Sequence, residues 1–300
     1  MRSGTPVAAV AGIVALASAG AVACTSQPGT GRALAGSAGA ARAVQAAYTA
    51  TSNTRTATYR LEATVQAKSA AGSSQSATIT GSGQVDFATR AFTVSLNAPS
   101  GGTITILQVN GTEYLQVPAA ARNQIPGHKP WVSVNLNKIS QAKLGRSFAQ
   151  LASASNDNPS QVLSQLAAVS TSVAKTGRAT VAGVPTTEYR ARVNLHLVAA
   201  KAQATEGAKA AQAIRQEITA LGTATIPVDV WIGPSHLVRQ IRYHTPIPAA
   251  STGGPAGTGT AVLTMTFTRF GVPVNLTPPP ASQTADITRE LLQQAKASSG

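Results

Sequence analysis

From Arg55 to Lys68 the chain alternates without a break. Ala57, Tyr59, Leu61, Ala63, Val65 and Ala67 occupy one parity; Thr58, Arg60, Glu62, Thr64 and Gln66 occupy the other. A period of two sends the first set to one face of an extended segment and the second to the opposite face, whereas a helix would scatter both around its surface. The stretch therefore reads as a long half-buried strand. It has to find neighbours, because a lone strand leaves its backbone groups unpaired.

The same period recurs along the chain. Ile79, Gly81, Gly83, Val85 and Phe87 form one apolar set, and Phe92, Val94 and Leu96 the next. Asn110-Gly111 lies between ITILQV and TEYLQV, where both turn positions favour positive φ, and so predicts a tight hairpin. Further strands are expected at Trp131–Leu136, Ser172–Val181, Thr186–Val198, Ile226–Ile232, Leu237–His244 and Val262–Phe270. Tyr189, Ala191, Val193, Leu195 and Leu197 are the apolar set of the third of these. Helical spacing is expected over Ala40–Asn53, around Leu144, Phe148 and Leu151, and after Asn158-Pro159 through Val162, Leu163, Leu166 and Val169. An Ala-rich helix over Ala199–Leu221 and a short one over Thr284–Ala297 complete the set.

These elements make roughly nine to eleven antiparallel strands with helices inserted between groups of them and no βαβ alternation. The expected fold is α+β: a single large curved antiparallel sheet, a half-barrel, with helices packed on its concave face. A two-sheet sandwich is the competing architecture. A strand hairpin following a helix occurs in both halves, with turns at Asn110-Gly111 and Gly233-Pro234-Ser235, which hints at an internal repeat.

The N-terminus carries a second kind of signal. Arg2 precedes Pro6–Ala23, a stretch without a single charge that ends in small residues and runs directly into Cys24. A basic start, a short apolar run and a small-residue cleavage site form a secretory signal. A cysteine at the cleavage point adds the bacterial lipoprotein reading, in which its thiol takes a diacylglyceryl group. Val22 and Ala23 suit that motif, and Ala21 stands where leucine is usual. An ordinary cut near Ala23 and an uncleaved anchor are the alternatives; so short a run of Ala and Gly makes a poor spanning helix. The expected organisation is a signal peptide over residues 1–23, a lipidated tether over 24–39, the half-barrel domain over 40–283 and a C-terminal helix or tail over 284–300.

Cys24 is the one cysteine, so no intramolecular disulfide or CxxC metal site can form. Lys and Arg number 24 against 10 Asp and Glu, a formal charge of +14, which suits anionic headgroups or wall polymers. Nucleic acid is not expected for an exported chain whose basic residues are scattered. Catalysis is not expected either. Asp86, Glu113, Glu188, Asp229 and Asp286 are far apart, His128, His196, His236 and His244 are isolated, and neither HExxH nor GxSxG occurs. No metal site and no cofactor are expected.

In this order, TATYRLEATV, GSGQVDF, ILQVNGTEYLQVP, KPWVSVNL, GVPTTEYRARV, IPVDVWIGPSHLVRQIRY and LTMTFTRFGVPVNLTPPP follow the cysteine-bearing leader. The arrangement is similar to the LppX/LprG-type lipoproteins of the actinobacterial cell envelope, whose fold relates to the LolA/LolB lipoprotein carriers. The resemblance implies a half-barrel whose concave apolar face, roofed by helices, holds acyl chains of a lipid or glycolipid at the outer face of the plasma membrane. A membrane transporter is an implied partner. Tyr59, Leu61, Val85, Phe87, Phe92, Val94, Leu96, Ile104 and Ile106 are the candidates to line such a cavity, or else they are packed core. The other functional reading is an anchored, non-catalytic docking module that uses its basic surface on wall polymers, headgroups or a membrane partner.

Overall fold

The structure, a computed structural model, describes residues 33–68, 74–97, 102–141, 170–205, 207–247 and 258–297. The leader over 1–23, Cys24, the tether up to residue 32, the helical patterns at Leu144–Leu151 and Asn158–Val169, and most of the glycine-rich excursion at Ala249–Gly259 lie outside those residues.

Helix α1 covers Ala33–Asn53, so residues 33–39 of the expected tether are helical. The strands β1 (Thr56–Lys68), β2 (Ser74–Asp86), β3 (Ala91–Asn97), β4 (Thr103–Val109), β5 (Thr112–Gln116) and β6 (Trp131–Asn135) follow, and then the short helix α2 (Leu136–Gln141). The second half opens with β7 (Ser170–Val181) and β8 (Val184–Asn194). Helices α3 (Leu195–Thr205) and α4 (Ala208–Leu221) come next, then β9 (Thr225–Ile232), β10 (Val238–Ile247) and β11 (Thr258–Phe270). A three-residue strand β12 (Thr284–Asp286) and helix α5 (Thr288–Ala297) end the described chain.

All twelve described strands join one open sheet in the order β12-β6-β5-β4-β3-β2-β1-β11-β10-β9-β8-β7. Two meanders, β1–β6 and β7–β11, meet where β1 pairs antiparallel with β11. The single sheet excludes the sandwich. Thr284 was expected to open a helix; instead Thr284–Asp286 pairs parallel with β6, so the sheet extends past residue 283. The Asp286 carboxylate then accepts the Thr288 N–H at 2.9 Å and starts α5 one turn later than the pattern implied.

Two further boundaries move for local reasons. The alternation through Leu195 and Leu197 predicts strand to Val198, but β8 stops at Asn194. There the Asn194 side-chain oxygen accepts the His196 N–H at 2.9 Å, satisfying a donor of a helix start. The Ala-rich stretch is two helices rather than one, because Gly207 takes φ 97°, a conformation glycine tolerates and a helix interior does not.

The main core lies on one face of the sheet. Helix α1 supplies Ala40, Val44 and Ala47, which pack with Tyr59, Leu61, Val85, Phe92, Val94, Val228, Val230, Ile241, Met265 and Phe267. Helix α4 adds Leu221, with Ile214 and Ile218 at the margin. Thr51 locks α1 to the sheet: its fully buried hydroxyl donates to the Ala47 carbonyl at 2.7 Å and accepts the Val238 N–H at 2.9 Å. A smaller cluster of Val117, Val132 and Ala285 closes the β6–β12 end.

Candidate functional site

The pairing register places every strand-borne candidate on the core-bearing face. Val85 opposes Phe92, Val94 opposes Ile106, and Leu96 opposes Ile104. Tyr59 and Leu61 oppose Gly83 and Gly81, which in turn oppose Val94 and Leu96. The two glycines leave that middle strand low. A Cβ on Gly81 would sit 2.8 Å from the Leu96 side chain, and one on Gly83 would strike the Thr93 carbonyl oxygen and stand 2.5 Å from the Tyr59 ring. Tyr59 lies across this gap and donates its hydroxyl to the Thr93 carbonyl at 3.0 Å.

The candidates then divide. Tyr59, Leu61, Val85, Phe87, Phe92 and Val94 are buried, and all six belong to the main core. Phe87 and Tyr59 both face Phe267, with ring centroids 6.1 and 6.3 Å apart. These side chains are committed to packing. Leu96, Ile104 and Ile106 are only half-buried. They are continued by Leu115, opposite Ile106, and by Val134, opposite Glu113, both also half-buried. Together they form an apolar wall over β3–β6 between the main core and the Val117–Val132–Ala285 cluster.

Leu115 and Val134 were not among the sequence candidates, although the signal was present. Once Asn110-Gly111 sets the β4–β5 register, the parity of Ile106 passes to Leu115 and across β6 to Val132 and Val134. Two polar residues share this face. Gln108 opposes both Phe92 and Glu113, and its side-chain oxygen is buried without a hydrogen-bond partner among the described residues.

The opposite face is largely polar, with Leu107 and Trp231 buried on it. Hydroxyls interlock across strands, as at Thr58 with Thr268 (2.8 Å), Thr64 with Thr78 (3.1 Å) and Ser95 with Thr105 (3.2 Å). On β8–β10 it carries a buried carboxylate, Asp229, which accepts from Arg190 Nε at 2.7 Å and meets His244 Nε2 at 3.2 Å. The hydrogen bond and charge of Asp229 hold the Arg190 pKa above its ordinary value. Arg242 lies 4.9 Å from the Trp231 ring centroid on the same face. The sequence showed His244 as isolated; strand pairing brings it to Asp229. The Arg190 side chain is 58% exposed, so solvent weakens this ion pair, and the arrangement reads as a buttress of the outer face.

No group of three or more His, Cys, Asp or Glu residues fit to hold a metal ion is present among the described residues. Among them no helix is long and apolar enough to cross a membrane.

No family model matches the chain. A curated relative, an uncharacterized 31.2 kDa protein from the rplA–rplJ intergenic region of Streptomyces griseus, is 26% identical over 174 residues. Those residues are 58% of this chain and 53% of the relative, so the chain spans about half the length of the curated protein it matches. Similar solved structures include two that belong to the group the sequence resembles. The lipoprotein LppX of Mycobacterium tuberculosis is 14% identical with a TM-score of 0.46, over 80% of this chain and 99% of LppX. LprF of Mycobacterium bovis is 13% identical with a TM-score of 0.43, over 82% and 99% of the two chains.

Proposed function

We propose that this chain is an exported lipoprotein, anchored through a diacylglyceryl group on Cys24 at the outer face of the plasma membrane, and that it binds or carries acylated lipid against the inner face of its sheet. The observation that carries the reading is the half-buried wall of Leu96, Ile104, Ile106, Leu115 and Val134, which continues the core onto a surface not fully committed to packing. Binding sites for acyl chains are concave and largely apolar, with few polar groups. An alternating sheet normally buries such a face entirely. The cysteine after the uncharged leader supports the anchored location.

The test is lipid analysis of the full-length protein purified in detergent. Solvent extraction and mass spectrometry should recover acylated lipid in a fixed ratio to protein, and Ile104→Trp prepared identically should carry much less. Equal lipid in both preparations, or none in either, removes the carrier reading.

The docking alternative draws on the outer face of β8–β10, where Arg190, Arg192 and Arg242 project beside Trp231. Glu188 and the buried Asp229 lie among them, so the local charge is mixed, and the apolar wall favours the lipid reading.

A further inference from the structure

The apolar wall is interrupted at one end by Gln108. Its neighbours on the same face are Phe92 on β3 and Glu113 on β5, and it lies two residues before the Asn110-Gly111 turn. The Gln108 side-chain oxygen is shielded from solvent and accepts no hydrogen bond from the described residues. A carbonyl oxygen removed from water without a donor is a standing cost to the fold, and such groups are rare in folded proteins. Leucine or isoleucine would satisfy the alternation at this position at no such cost. An orphaned acceptor beside a half-buried apolar wall is suited to a donor that arrives with a ligand.

Resting on the lipid-binding reading above, we propose that Gln108 accepts a hydrogen bond from a hydroxyl on the polar head of the bound acylated lipid. The head is thereby held at the turn end of β4–β5, and the acyl chains run along Ile106, Ile104 and Leu96. The chemistry selects the class of head. A hydroxyl supplies the donor that the Gln108 oxygen lacks, whereas a phosphocholine head has no donor to offer. Two sources share that chemistry: the free hydroxyl of a diacylglycerol and the sugar hydroxyls of a glycosylated diacylglycerol.

The experiment offers full-length protein, delipidated in detergent, three kinds of vesicle with identical acyl chains. One is phosphatidylcholine alone, the second contains diacylglycerol, and the third contains glycosyl diacylglycerol. Wild type should take up one or both hydroxyl-bearing lipids about fivefold over phosphatidylcholine, the ratio one hydrogen bond supplies. Preference for both identifies any hydroxyl as the ligand group; preference for the glycosyl lipid alone identifies the sugar. Gln108→Leu should lose this ratio and take up all three alike. A Gln108→Leu protein that keeps the preference and melts higher marks Gln108 as an internal polar group only, and overturns the proposal. Wild type that takes up all three equally also overturns it while leaving the carrier reading intact. Wild type that takes up none removes both.

Discussion

The Tyr59 ring occupies the space above Gly83, and its hydroxyl reaches past that strand to the Thr93 carbonyl at 3.0 Å. One side chain thus ties β1 to β3 across β2, and it can do so only because β2 has no side chain at the crossing point. Gly83→Ala should destabilise the protein by about 1–3 kcal/mol, because the added methyl meets a backbone carbonyl that cannot swing away. Tyr59→Phe, which keeps the ring and loses the hydroxyl, should cost about 0.5–1.5 kcal/mol. Denaturant melts of the two variants check the order; a Gly83→Ala protein as stable as wild type would show that β2 has room to shift.

Thr51 makes the corresponding link between helix and sheet. Thr51→Val preserves the shape but leaves the buried Val238 N–H without its 2.9 Å acceptor. The expected loss is about 1–3 kcal/mol. Hydrogen exchange at Val238 should accelerate more than at neighbouring β10 amides.

Tryptophan scanning separates wall from core. Val94 is 1% exposed and Ile104 is half-buried on the adjacent strand. Val94→Trp should lower stability by about 1–3 kcal/mol, the cost of overpacking. Ile104→Trp should leave the melting temperature within error and reduce lipid uptake. Equal destabilisation by both would place Ile104 in the packed core.

Stability should fall in alkali through Tyr243. Desolvation pushes its hydroxyl above the ordinary value of 10.0. Between that ordinary value and the raised one, the unfolded phenol releases its proton while the folded one keeps it. Unfolding then becomes more favourable as pH rises. The contribution is intact below about pH 10 and is lost progressively above it. Tyr243→Phe should flatten that alkaline limb in urea midpoints measured against pH. An unchanged slope would assign the limb to other groups.

Anchoring is tested at Cys24. Cys24→Ala should leave the precursor unprocessed or release protein from the membrane fraction. Recovery of the variant in membranes at the processed wild-type mass would remove the lipoprotein reading.

Period-two alternation was enough to identify most strands and the face each presents. Side-chain direction in an extended chain is fixed by the backbone geometry of neighbouring residues. The Asn110-Gly111 hairpin was legible for the same reason, since its positive φ values are a property of those residues. Local competition decided what the pattern missed. Asn194 stops β8 by capping α3, Gly207 divides the Ala-rich stretch, and Asp286 delays α5 until a short parallel strand has formed on β6. Which apolar residues are core and which are wall was beyond the pattern altogether. Val94 and Ile106 have the same parity and directly oppose each other, yet one is sealed in the main core and the other stays half-buried at its margin. Parity states only which face a side chain leaves from. Burial depends on what distant segments, such as α1, lay over that face, and only tertiary packing decides this.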